Sequence, residues 1–246
     1  MKWLLSLCCL IVYPALALEP LRVGIGETKL PYVSSETQSG IEYEIIQQAF
    51  KLAGIPIRFE HMPNKRAQLL LSLNQLDAAI NTKGQIVSEP YIVYQNMAIS
   101  RCASQFNIQQ VSDLQGKSVV AFHNANQFLG EEFAQLARDK AHYQEISPQQ
   151  LMNRMLLSER VDVVISDINI FRHFNLELDP KGSQKICPFA IFPPTRYRLE
   201  FNDAVIRDRF NLALQQLSQN GFYEKMAQKY LPSFSGNTAK KPSFQP

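Results

Sequence analysis

Three clusters of polar residues follow short apolar runs. Val161-Asp162-Val163-Val164-Ile165-Ser166 leads into Asp167, and Leu76-Asp77-Ala78-Ala79-Ile80 leads into Asn81-Thr82. Lys117 to Phe122 leads into His123-Asn124, with Asn126 close behind. Runs of this length suit buried strands. In open parallel sheets, ligands sit beyond the carboxyl ends of the strands. Asp167, Asn81, Thr82, His123 and Asn124 therefore stand where a ligand would be held. Asp167 also suits a second task, capping a helix over Ile168 to Phe174, since aspartate is a strong N-cap.

Chemistry of other kinds finds little support. His61, His123, His142 and His173 have no metal-ligand spacing, so neither a metal nor a catalytic set is assigned. Gly24-x-Gly26 lacks the third glycine of a dinucleotide fingerprint and is followed by a loop containing Pro31. No Gly-x-Ser-x-Gly occurs, and no cofactor is expected. His123 with Asp167 or Glu27 makes an acid/base pair only if the fold brings them together.

The elements that must position these residues follow a repeating pattern. Leu21 to Ile25 reads as a strand, Ile41 to Ala53 as a helix closed by Gly54, and Ile55 to Phe59 as a second strand. Asn64 can cap a helix through Leu69, Leu70 and Leu73, before a strand over Leu76 to Ile80. The order repeats: a strand to Phe122, a helix over Gln127 to Arg138 with Phe128, Phe133, Leu136 and Ala137 inside, and a strand near Tyr143. Ser147-Pro148-Gln149-Gln150 then opens a helix before Val161 to Ile165. Two βαβαβ units give an α/β fold with two sheets covered by helices. Tyr91 to Ser100 and Ile186 to Phe192 read as crossings between them. Helices over Phe201 to Leu217 and on to Tyr230 finish the pattern, and from Pro232 onward the composition suits a disordered tail.

Lys2 is followed by an apolar run to Tyr13 and by Ala15-Leu16-Ala17, the pattern of a cleaved secretory leader over residues 1–17. The formal net charge of +3 is near neutral and gives no electrostatic case for nucleic acid. Of four cysteines, Cys102 and Cys187 remain beyond the leader. Export permits a bridge between them, and two free thiols are the alternative.

Several motifs occur in a telling order: Leu21-Arg22-Val23-Gly24 with Pro31-Tyr32; Gly40-Ile41-Glu42-Tyr43-Glu44; Ser88-Glu89-Pro90-Tyr91; Val111-Ser112-Asp113-Leu114-Gln115-Gly116-Lys117; Arg160 to Asp167; and Asn220-Gly221 with Lys229-Tyr230. Together they resemble the extracellular solute-binding proteins, family 3, the amino-acid-binding receptors of ABC importers. The resemblance implies a two-lobe, type II periplasmic-binding-protein-like α/β fold, each lobe a mostly parallel sheet flanked by helices, the two joined by crossing strands. One lobe would hold residues 18–95 and 190–231, the other 96–189, with 232–246 as the tail. It implies a monomer in the periplasm that closes on a small polar solute and delivers it to an inner-membrane permease. It also implies that Asp167 holds a ligand ammonium, that Tyr32 forms an aromatic wall, and that backbone N–H groups over His123 to Asn126 face a ligand carboxylate, as a helix N-terminus favours.

One departure bears on the ligand. The family's arginine after the third strand is absent, because Asn81-Thr82-Lys83-Gly84-Gln85 runs almost directly into Ser88. Arg66, at the start of the second helix, is the candidate replacement; lysine is a poor substitute for a planar two-pronged donor. Two alternatives share the scaffold: a solute sensor feeding a membrane receptor, and an enzyme resembling the cyclohexadienyl dehydratases.

Overall fold

The computed structural model describes residues 19–231 and 243–246. The expected leader lies outside the described residues. In chain order the first elements are β1 (Leu21–Ile25), α1 (Ile41–Leu52), β2 (Ile57–His61), α2 (Asn64–Ser72), β3 (Ala78–Asn81), β4 (Ile92–Tyr94) and β5 (Asn96–Arg101). Next come β6 (Val119–Phe122), α3 (Ala125–Phe128), α4 (Glu131–Leu136), β7 (Tyr143–Ile146), α5 (Gln149–Leu157), β8 (Val163–Asp167) and α6 (Ile168–Leu178). The chain returns through β9 (Ile186–Phe189), β10 (Thr195–Phe201), α7 (Ala204–Gln219) and α8 (Phe222–Tyr230).

Two five-stranded sheets result, in the orders β2-β1-β3-β10-β4 and β7-β6-β8-β5-β9. In each, one strand runs against the other four: β10 pairs antiparallel with β3 and β4, and β5 with β8 and β9. These reversed strands are the two that have just crossed from the opposite sheet. The first crossing turns at Gln95; the second occupies residues 190–194. The Gln95 amide ties them together by donating to the carbonyls of Asn96 (3.0 Å) and Phe192 (2.9 Å).

Burial follows the periodicity of each element. Ile41, Ile45, Ile46, Ala49 and Phe50 on α1 are fully buried, the stripe expected of a helix with one face on a sheet. Along β8, Val163 and Ile165 join one apolar cluster and Val164 another, because successive strand residues face opposite sides. α1 also depends on the residue before it. Gly40 has φ 124° and ψ 163°, a region open essentially to glycine. An added Cβ there would lie 2.3 Å from the Tyr32 carbonyl oxygen. Gly40→Ala should therefore cost about 3 kcal/mol through backbone strain and displacement of Tyr32, measurable by urea unfolding. A loss below about 1 kcal/mol would mean that the loop relaxes freely.

Several local expectations are corrected. The stretch Gln127 to Arg138 is broken by Gly130, at φ 95°, into α3 and α4. The break turns Phe128 outward to 62% exposure, while Phe133 and Ala137 are buried. Asn64 and Ser147 do not cap their helices; Pro63 and Pro148 precede α2 and α5, with no side-chain cap bond. β10 occupies a segment assigned to no element except Phe201, which was expected to open the helix that instead begins at Ala204. Of the two readings left open for Cys102 and Cys187, the bridge is the one formed, joining the end of β5 to β9. The tail was expected to stay disordered through residue 246, yet Ser243–Pro246 pack against the fold, and Phe244 is fully buried. An aromatic ring in a polar segment is enough to anchor it when an apolar slot is at hand.

Candidate functional site

The carboxyl end of β8 delivers Asp167 to the junction of the two sheets. The side chain is 3% exposed and caps α6, accepting from the N–H groups of Asn169 (2.9 Å) and Ile170 (3.1 Å). Its other oxygen accepts from the Gln95 N–H at 2.8 Å. From the opposite lobe, the Tyr32 hydroxyl donates to Oδ1 at 3.0 Å. The Asn169 amide donates in turn to the Tyr32 oxygen at 2.9 Å. The structure thus brings Asp167 and Tyr32 together and adds Asn169, which sequence reasoning missed. Burial pushes the Asp167 carboxyl above its ordinary range, against the opposing pull of the Ile170, Gln95 and Asn169 N–H groups and the Tyr32 hydroxyl.

A second buried carboxylate lies in the first lobe. Glu42, in the first turn of α1, accepts from the hydroxyls of Tyr91 (2.6 Å) and Tyr94 (2.7 Å). Tyr94 packs against Tyr32 with ring centroids 4.0 Å apart and the planes tilted by 30°, and meets Tyr197 edge-on at 5.0 Å. The Lys29 ammonium sits 4.2 Å from the Tyr94 ring centre, at the range of a cation–π contact. Burial first, then the charge of Asp167 or Glu42, pushes Tyr32, Tyr91 and Tyr94 well above the usual phenol range, and Tyr197 up to about 12. These phenols stay protonated as donors at neutral pH. The junction is therefore aromatic and acidic, a setting that suits a cation.

The other expected residues are arranged differently. The backbone N–H groups of Asn124 (2.8 Å) and Asn126 (3.1 Å) donate to the carboxylate of Glu145, on β7. The Tyr143 hydroxyl donates to it as well, at 2.9 Å. An internal carboxylate thus occupies the donors that the resemblance assigns to a ligand carboxylate. Burial would raise Glu145, but those N–H groups, the Tyr143 hydroxyl and the nearby His123 hold it below its ordinary range. His123 itself is exposed. Asn81 is held by Glu200, its amide donating at 2.7 Å, while its oxygen accepts from the Thr82 N–H at 2.8 Å. Thr82 and Arg66 are exposed, and the Arg66 guanidinium has no hydrogen-bond or ion-pair partner among the described residues. Asn81, Thr82 and Arg66 therefore do not join the Asp167–Tyr32 cluster. Glu145 was legible only as an acidic residue in an otherwise ordinary strand, whereas Glu42 stood within the motif Gly40-Ile41-Glu42-Tyr43-Glu44.

Comparison with known proteins agrees with this architecture. The profile of the bacterial extracellular solute-binding proteins, family 3, matches residues 21–233. The arginine-binding extracellular protein ArtP of Bacillus subtilis (strain 168) is 25% identical over 220 residues, covering 81% of this chain and 80% of ArtP. The arginine-, lysine-, histidine-binding protein ArtJ of Geobacillus stearothermophilus superposes with a TM-score of 0.63 at 17% identity, covering 92% of this chain and 97% of ArtJ. The GluR0 ligand-binding core of Nostoc punctiforme, in complex with L-glutamate, gives a TM-score of 0.62 at 18% identity, covering 86% and 99%.

Proposed function

The chain belongs to the bacterial extracellular solute-binding proteins, family 3, and on that footing we propose that it is a periplasmic receptor for a small, polar, amino-acid-like solute. It closes on the solute between its lobes and presents it to an ABC permease in the inner membrane. The observation that carries this reading is the Asp167–Tyr32 bond across the junction of the two lobes. Tyr32 supplies the one side-chain donor on Asp167 among the described residues, and it comes from the facing lobe, so it stands where a solute ammonium would donate once the lobes part. Hinge closure around a ligand is how two-lobe receptors of this architecture work.

Cationic amino acids are the first solutes to try. The relative ArtP binds arginine, and the junction gathers Glu42 and Asp167 among tyrosine rings. Glu145 on the Asn124 and Asn126 N–H groups weakens the hold available for a solute carboxylate. Arg66, exposed at the start of α2, and Lys29, over the Tyr94 ring at the junction, are side-chain cations left to meet it.

The test is a thermal-shift screen of the chain from Leu18 onward against arginine, lysine, ornithine, histidine, glutamate, glutamine, polyamines and small organic acids. A true solute raises the midpoint by mass action, equivalent to about 2.7 kcal/mol at a hundredfold excess over Kd. It should be recovered chemically unchanged. No shift across the panel would reject an amino-acid-like solute, and turnover of the solute would replace the receptor reading with an enzyme.

A further inference from the structure

We propose that Ser243 and Phe244 form an intramolecular strap that holds the two lobes together beside Asp167, so that the strap must release before the lobes part. β4 lies at the end of its sheet, with β10 on one side only. Its outward N–H at Val93 donates to the carbonyl of Phe244 at 2.8 Å. The strap thereby extends the sheet by one backbone bond at an edge that would otherwise be open. The Phe244 ring is fully buried in the first lobe's core, 6.2 Å from the Tyr223 ring centre. Tyr223 in turn donates its hydroxyl to the Tyr91 carbonyl at 2.8 Å, directly before β4.

One residue earlier the strap reaches the other lobe. The Ser243 hydroxyl lies 3.2 Å from the Asn169 amide nitrogen and 3.4 Å from its amide oxygen. Asn169 is the residue that donates to Tyr32, and Tyr32 donates to Asp167. A continuous hydrogen-bonded line therefore runs from the strap to the carboxylate at the junction. Ile170, next along α6, is buried in the same apolar cluster as Phe244, Tyr91 and Tyr94. Adjacent residues thus grip different lobes: Phe244 is anchored in the first and Ser243 bonds to the second. Moving the lobes apart must break the Ser243–Asn169 contact or pull Phe244 from its slot.

The test needs no solute, so its failure is separate from a failure of the receptor reading. Hydrogen exchange is followed at the amides of Asn169 and Ile170, which are protected by Asp167, in the full chain, in Phe244→Ala, in Ser243→Ala and in a chain ending at Leu231. Loss of the strap should speed exchange at these two amides at least about tenfold in Phe244→Ala and in the shortened chain, equivalent to about 1.4 kcal/mol of opening free energy. Ser243→Ala should speed it a few-fold. The synthetic peptide Lys-Pro-Ser-Phe-Gln-Pro, added in excess, should restore protection to the shortened chain. Unchanged exchange in both full-length variants overturns the proposal. So does acceleration that is as great in β1 and β3 as at Asn169 and Ile170, which would make Phe244 a core residue and nothing more. If the shortened chain does not fold, Ser243→Ala, which leaves the apolar packing intact, still decides.

Discussion

Reduction of the Cys102–Cys187 bridge is expected to lower the unfolding free energy by about 4–5 kcal/mol and the melting midpoint by roughly 10–18 °C. The two cysteines are separated by 85 residues. In the chain-entropy account, a long closed loop removes many conformations from the unfolded state and few from the native one. Nearly the whole second lobe lies inside that loop. Its ends are already neighbours in the fold, since Ser100 faces Cys187 across β5 and β9 and the Cys102 N–H donates to the Lys185 carbonyl at 2.8 Å. Urea unfolding of the oxidised and the fully reduced chain from Leu18 onward, which leaves out Cys8 and Cys9, measures the difference. A loss below about 1 kcal/mol would mean that the reduced unfolded chain keeps its own long-range structure, since the bridge would then have little entropy to remove.

Much of the scaffold was legible because periodicity is a local property. The helical stripe of α1 and the apolar runs of β3 and β8 lie where their spacing put them; the first crossing falls within Tyr91 to Ser100, while most of Ile186 to Phe192 is β9 and the second crossing runs on to residue 194. β10 went unread even though Thr195, Tyr197, Leu199 and Phe201 alternate with Arg196, Arg198 and Glu200, a period-two signal that Pro193 and Pro194 obscured. Tertiary partners decide what periodicity does not. Gly130 within Gln127 to Arg138 marks a break but not which way Phe128 turns, and nothing near Phe244 says that Tyr223 and Val93 receive it. The site divides along the same line. Asp167 at a strand end was visible, whereas Glu145 reaching the Asn124 and Asn126 N–H groups is a cross-strand relation that only the register of β6 and β7 creates.

Asp167→Ala is expected to cost about 2.5–8 kcal/mol, because four donors converge on one buried carboxylate. Loss of the two cap bonds to α6 accounts for about 0.5–2 kcal/mol. The Gln95 N–H and the Tyr32 hydroxyl, left buried without an acceptor, each add about 1–3 kcal/mol. Asp167→Asn keeps the shape and one acceptor and should cost less, about 1–3 kcal/mol. Its pH dependence identifies the form of the carboxyl that the fold prefers. Burial raises the folded value above the ordinary 3.8, so the contribution of Asp167 is full below that ordinary value. It declines as pH rises through the folded value, where the buried group must ionise. An asparagine cannot ionise and shows no such decline. The deficit of Asp167→Asn should therefore be larger at about pH 4 than at about pH 7, read from urea unfolding at each. A deficit that grows toward neutral pH would show that the fold favours the charged carboxylate. The same variant separates structure from recognition. Three of the four bonds on Asp167 come from Gln95 at the hinge and from α6; parting the lobes opens them to water without removing their partners. The Tyr32 bond alone is exchangeable for a solute donor. If the solute ammonium takes that place, a folded Asp167→Asn protein should lose about 2–5 kcal/mol of solute binding, the range for truncating one partner of a buried charged pair. Undiminished solute affinity in that variant would leave Asp167 as the cap of α6 and the anchor of the closed lobes, with the solute held elsewhere in the cleft.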